Sequence, residues 1–127
     1  MNLIESGNFN KDMINHPERK GWSLGRFIEQ ESLRNTQDLE IKWMNHPKGE
    51  KYNISKANIT SRSLGVLISG KIKFFFPDEK QEVILENQGD YVIWDRNVYH
   101  HVEFLEDTTF LTVRWPSVEN DVVTKVI

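Results

Sequence analysis

Residues 64–74, LGVLISGKIKF, decide the fold because a glycine interrupts two short β-prone runs. Leu64, Val66 and Ile68 alternate with Ser63, Gly65 and Leu67, which is the period of a β-strand. Gly70 follows, and a glycine at this point favours a tight turn because it tolerates positive φ. The stretch therefore predicts a β-hairpin centred on residues 69–71.

The same pattern of short alternating runs separated by turn residues extends over most of the chain. Alternating runs and turn residues predict strands near 22–30, 39–44, 51–59, 62–69, 71–76, 81–86, 90–95, 99–105 and 108–115. Many short strands with no strong helix between them are typical of an antiparallel barrel or sandwich. Residues 1–21 are polar, and we expect them to form an irregular or short helical arm before a single domain over residues 22–127. The final run, 121–127, is expected to add to its own sheet or to that of a partner.

Composition narrows the function classes. The 127 residues have a formal net charge of -3 and no dense basic run, which argues against a nucleic-acid partner. The absence of cysteine excludes disulfides and thiolate chemistry. No apolar run approaches the ~20 residues that cross a bilayer, and no targeting signal is apparent. We expect a soluble, cytoplasmic protein without a membrane partner.

The segment from Gly89 to His100 carries a resemblance to the cupin superfamily. In the second cupin motif, G-x5-P-x-G-x2-H-x3-N, Gly89 is the first glycine and His100 is the histidine, whereas Asp95, Asn97 and Phe104 replace the other three residues. Asn97 can adopt the left-handed conformation of the glycine it replaces. Wider text over residues 39–117 resembles small single-domain cupin-like proteins. The resemblance implies an all-β, cupin-type jelly-roll barrel, and a homodimer because cupins commonly pair through strands and arms.

The first cupin motif has lost its metal ligands. If Gly70 is its last glycine, Ser63 occupies the Glu position, and the two His positions fall on Lys56 and Asn58 or on Ala57 and Ile59. The main prediction is therefore a binding module for a small organic ligand, an anion or a sugar, with no metal cofactor. Its candidate ligand-binding residues are His100, His46, Tyr52, Lys56, Asn58, Trp94 and Arg114.

Two alternatives stay open. A metal-dependent dioxygenase or isomerase would hold one divalent transition metal with His100, His46 and Glu50. A structural or regulatory protein would have a filled barrel with no ligand cavity. For Arg114, the sequence leaves two positions open: it faces inward and pairs with Glu40 or a ligand carboxylate, or it is a surface charge.

Overall fold

The computed structural model describes residues 3–127, so the first two residues of the predicted arm lie outside the described residues. The arm contains one short α-helix, α1 (Phe9–Asn15), and a 3-10 turn, Pro17–Arg19. Asn8 caps α1 through a hydrogen bond from the backbone N–H of Lys11 to its side-chain oxygen. None of the helices within residues 3–127 is long and apolar enough to span a membrane.

Ten strands form the rest of the chain. They are β1 (Trp22–Leu24), β2 (Glu40–His46), β3 (Ile54–Asn58), β4 (Arg62–Ser69), β5 (Ile72–Phe76), β6 (Gln81–Leu85), β7 (Tyr91–Trp94), β8 (His101–Phe104), β9 (Thr108–Trp115) and β10 (Val122–Val126). A large antiparallel sheet has the order β1-β2-β9-β4-β7, a smaller one has the order β6-β5-β8, and β10 pairs with β3. The all-β prediction is confirmed, and the C-terminal run pairs within its own chain.

The predicted hairpin is present between β4 and β5. Gly70 has a φ of 101°, and a Cβ there would clash with the carbonyl oxygen of Asp107. Asn97 has a φ of 64°, so it adopts the left-handed conformation expected from the motif. The predicted strand 22–30 was too long: β1 ends at Leu24, because Gly25 begins a turn in which its carbonyl accepts the N–H groups of Ile28 and Thr36.

The two main sheets enclose a core that is strongly aromatic. Its eight buried side chains are Leu67, Ile72, Phe74, Phe76, Leu85, Trp94, Phe104 and Phe110. Gly65 leaves room for Phe110, since a Cβ at that position would clash with the ring of Phe110. This core fills one end of the barrel interior and leaves the polar residues of β2, β4 and β9 at the other end.

Candidate functional site

The inward faces of β2 and β9 bring charged groups together at the unfilled end of the barrel. Antiparallel pairing places Glu40 opposite Arg114 and Lys42 opposite Thr112. In the same register, the core residue Phe110 lies opposite Met44, two pairs beyond the Lys42–Thr112 pair. Because side chains alternate across a strand, Arg114 shares the inner face with Phe110. We call this end of the interior the polar mouth and define it by Trp22, Glu40, Lys42, Lys56, Ser63, His100 and Arg114.

Arg114 adopts the inward arrangement, one of the two that the sequence left open. Its guanidinium lies 3.7 Å from the Glu40 carboxylate and 4.6 Å from the centroid of the Trp22 ring. Glu40 is already well partnered, because Arg26 lies 3.1 Å from its carboxylate and Ser117 donates a hydrogen bond to it at 2.9 Å. Burial lowers the pKa of Arg114, and the nearby Glu40 and Asp121 carboxylates oppose that shift.

His100 also faces the interior. Its ring centroid lies 4.5 Å from that of Trp94 and 6.2 Å from that of Phe74. Its backbone pairs with that of Lys56 through two hydrogen bonds of 2.9 Å. Burial, with a further contribution from the charge of Arg114, lowers the pKa of His100 to about 4 although the backbones of Val98 and Lys56 oppose the shift, so the imidazole is neutral at physiological pH.

Four buried polar atoms in this region have no hydrogen-bond partner among the described residues. They are Ser63 Oγ, Trp94 Nε1, His100 Nδ1 and Arg114 Nε. The four residues are neighbours, since Ser63 pairs across strands with both Arg114 and Trp94, and Trp94 contacts His100. Buried polar groups in folded proteins are nearly always satisfied, so four adjacent exceptions require an explanation.

A cleft of about 490 Å³ opens beside one of these four residues, Arg114. Its lining includes Trp22, Arg26, Glu40, Asn58 and Arg114. Three residues therefore belong to both the cleft and the polar mouth: Trp22, Glu40 and Arg114. Another cleft of about 520 Å³ lies between the arm and the barrel, but there Arg34 is paired with the carboxylates of Glu5 and Asp12.

The remaining candidate residues form different contacts. Asn58 donates a hydrogen bond to Asp121, and Lys56, although its charge acts on His100 and Lys42 in the polar mouth, is itself exposed on β3. His46 and Tyr52 belong to a separate cluster around Glu50: the His46 ring nitrogen lies 3.0 Å from the Glu50 carboxylate, and Tyr52 donates to it at 2.7 Å. His46 also stacks on Phe104 at 4.0 Å.

The ligands of the metal-dependent alternative, His100, His46 and Glu50, do not come together as one group. Among residues 3–127, no group of three or more histidine or carboxylate side chains is arranged to hold a metal ion. The nearest charges that act on the pKa of His100 belong to Arg114 and Lys56, which are cations. The donor set at His100 therefore does not fit a divalent metal, which binds neutral imidazoles and carboxylates in proteins.

Sequence analysis missed Trp22, Lys42 and Ser63 as site residues. Lys42 is two residues from Glu40 and four from His46 on β2, so alternation alone places the three on one face. Ser63 was aligned with the lost glutamate of the first motif, and that position does face the interior opposite Arg114. Trp22 gave no signal, because only its pairing with Lys42 puts it at the opening.

Comparison with solved structures identifies similar folds. An uncharacterized conserved protein with a double-stranded β-helix domain from Klebsiella pneumoniae has a TM-score of 0.62 and 17% identity, covering 72% of this chain and 78% of that one. KdgF from Halomonas sp. has a TM-score of 0.59 and 17% identity, covering 67% and 76%. A cupin-2 domain containing protein from Shewanella frigidimarina has a TM-score of 0.56 and 14% identity, covering 90% and 94%.

Sequence comparison adds nothing to these structural matches. No protein-family model matches the chain, and a search of curated proteins finds no significant match. At such low identities the structural likeness concerns the fold alone.

Proposed function

Given that the chain has the cupin fold, we propose that it is a binding module for a small organic acid, held at the polar mouth without a metal. The observation that carries this proposal is the group of four unpartnered polar atoms on Ser63, Trp94, His100 and Arg114. A buried donor or acceptor without a partner costs about 1–3 kcal/mol. A ligand that pairs with several of these atoms recovers that free energy on binding.

The chemistry of the four atoms selects the ligand. The indole Nε1–H of Trp94 and the guanidinium Nε–H of Arg114 can only donate, and the hydroxyl of Ser63 can donate or accept. His100 is neutral, so its Nδ1 either donates or accepts according to the tautomer. Donors predominate in this set, and a ligand rich in acceptor oxygens fits it best.

The charge of the opening favours an anion over a neutral sugar. Glu40 is neutralised by Arg26, which leaves Arg114 with a second, longer contact to the same carboxylate. Lys42 and Lys56 add two more cations, and within residues 3–127 neither forms an ion pair. A carboxylate accepts bidentate hydrogen bonds from a guanidinium, which suits Arg114.

Calorimetric titration with lactate, benzoate and glucose tests the proposal. We expect both carboxylates to bind and glucose not to bind. Arg114→Gln should weaken carboxylate binding by about 10- to 100-fold, since a hydrogen bond to a charged group contributes about 1.5–3 kcal/mol. Arg62→Gln is the matched control, because Arg62 lies half-exposed beside Asp95 outside the barrel. Equal binding of glucose, or unchanged binding by Arg114→Gln, would contradict the proposal.

The metal-dependent enzyme is the competing function. It requires His100, His46 and Glu50 to share one ion, although His46 and Glu50 are engaged with each other. Elemental analysis of protein purified from metal-supplemented cultures separates the two functions. We expect well below one equivalent of any transition metal; one equivalent that is lost in His100→Ala would favour the enzyme.

We also infer a homodimer that pairs through the outer face of the large sheet. The cross-strand neighbours on this face are apolar: Leu64 pairs with Val113 and Ile93, and Val66 pairs with Leu111 and Tyr91. Tyr91 and Ile93 are 63% and 53% exposed, which is unusual for a contiguous apolar face. The centre of this face carries no charge, and the ion pair between Arg62 and Asp95 lies at the end of β4, so a second copy is a suitable occupant about a two-fold axis.

Light scattering after size exclusion tests this assembly. We expect a dimer for the unmodified protein and a monomer for Leu111→Lys, which puts a charge in the centre of the face. Ile84→Lys is the control, because Ile84 is 47% exposed on β6 of the other sheet. A monomeric unmodified protein would overturn the inference. The cytoplasmic location stays a prediction.

A further inference from the structure

Lys42 occupies a distinctive position at the polar mouth. Strand pairing places it between Trp22 on β1 and Thr112 on β9. Its Nζ lies 5.7 Å from the centroid of the Trp22 ring, and the guanidinium carbon of Arg114 lies 4.6 Å from the same centroid. One indole ring therefore brings an amine and a permanently charged guanidinium to the same opening.

Lys42 also lacks the partner that normally holds a buried ammonium group. Within residues 3–127, no carboxylate lies within 4 Å of its Nζ; the Glu40 carboxylate, two residues away on the strand, is paired with Arg26 and Arg114 instead. Burial, reinforced by the charges of Arg114 and Lys56 and opposed by the Glu50 carboxylate, lowers the pKa of Lys42 to about 8. A desolvated lysine beside a guanidinium group is an amine available as a nucleophile.

We propose that Lys42 forms an imine with the carbonyl group of a small oxo acid whose carboxylate is held by Arg114. This inference rests on the proposed function, because it requires the carboxylate site, and it narrows the ligand class to acids that carry an aldehyde or ketone. Both cations lie close to the Trp22 ring, at 4.6 and 5.7 Å from its centroid, so the guanidinium that would hold the carboxylate and the amine that would react are neighbours.

The reaction is a condensation that needs no further reactant. The neutral Nζ attacks the carbonyl carbon, and the carbonyl oxygen takes the proton that the nitrogen gives up, which yields a carbinolamine. Loss of water then removes the hydroxyl from the carbon and the remaining hydrogen from the nitrogen. The product has a double bond between Nζ and the substrate carbon, and hydrolysis reverses the sequence.

Reductive trapping with glyoxylate and sodium cyanoborohydride tests the inference on the intact protein. Hydride adds to the imine carbon and leaves a stable carboxymethyl group on the reacting lysine, which peptide mass spectrometry locates. We expect Lys42 to be labelled about 100-fold faster than a surface lysine such as Lys48, because far more of it is neutral near pH 7. Even labelling across the lysines would overturn the inference.

Three variants test whether the labelling depends on Lys42 and on the carboxylate site at Arg114. Lys42→Arg should abolish the selective label, Lys48→Arg should leave it unchanged, and Arg114→Gln should slow it about tenfold or more. Binding of lactate, a hydroxy acid without a carbonyl, is measured in parallel. Lactate binding without selective labelling would refute the imine while the proposed function stands; failure of lactate to bind would refute the proposed function itself.

Discussion

The two ends of the barrel interior differ in how their buried side chains are packed and hydrogen-bonded. At the apolar end, Phe74 is 2% exposed and contacts the rings of Phe76, Trp94 and Phe110 at centroid distances of 5.4–6.1 Å. At the polar mouth, Arg114 and His100 are largely buried yet keep nitrogen atoms without partners. One end gains stability from close packing, whereas the other keeps unpaired polar groups at a cost.

The contrast indicates which end is available for function. Local departures from good packing and hydrogen bonding concentrate at functional sites, where a bound ligand can provide the missing hydrogen-bond partners. Trp94 connects the two ends, because its ring belongs to the core cluster while its Nε1 belongs to the unpartnered group. Packing in the core therefore fixes the position of Trp94, which forms one wall of the proposed site.

The largest effect is expected from loss of packing at the apolar end. Phe74→Ala should lower the free energy of unfolding by about 3–5 kcal/mol, because a cavity replaces a buried ring. Phe75→Ala is the matched control: the same residue type on the same strand faces outward and stacks on His101 at 4.8 Å. Its cost should be about 1–2 kcal/mol. Denaturant unfolding measures both, and equal losses would show that the aromatic cluster is not the main source of stability.

The polar mouth should instead make the free energy of unfolding depend on pH. The pKa of His100 is lowered from 6.5 to about 4 in the folded protein, so the unfolded chain binds more protons between those values. This contribution to stability is complete above pH 6.5 and is lost as the pH falls toward 4. Between pH 7 and pH 5, the unmodified protein should lose about 2 kcal/mol more than His100→Gln.

His101→Gln is the control for that measurement. His101 lies on the exterior, where its ring stacks on Phe75 and its Nδ1 lies 2.9 Å from the Ser55 hydroxyl. Using differences between variants cancels the titration of the carboxylates that both proteins share. A His100→Gln profile parallel to that of the unmodified protein would mean that His100 titrates normally and is not buried in a cation-rich site.

Much of the fold could be predicted because its signals are local. Turn chemistry at Gly70 and alternation in β4 and β9 depend on neighbouring residues, and so does the left-handed Asn97. The length of β1 could not be predicted, because the turn at Gly25 is fixed by a backbone hydrogen bond to the distant Arg34.

The site was harder because an alternating strand does not say which face is inside. Leu64, Val66 and Ile68 look like the core face of β4, yet Ser63, Gly65 and Leu67 face the interior. The apolar outer face of the large sheet removes the usual contrast between a core face and a solvent face. Lys42 was overlooked for a similar reason: alternation places it on the same face as Glu40 and His46, but its position beside Trp22 and Thr112 emerges only when β1, β2 and β9 pair.

Two buried serines offer the finest test of the comparison, since they differ mainly in whether the hydroxyl has a partner. Ser61 donates to the carbonyl of Pro116 at 2.6 Å, so Ser61→Ala should cost about 1 kcal/mol. Ser63 Oγ is buried and unpartnered, so Ser63→Ala should leave stability unchanged or raise it by up to about 1 kcal/mol. The same Ser63→Ala change should weaken lactate binding, because it removes one of the groups that the ligand would satisfy. Equal destabilisation by the two substitutions would imply that the Ser63 hydroxyl already has a hydrogen-bond partner in solution. The polar mouth would then be more polar than the apolar end but would offer no unpaired group there for a ligand to bind.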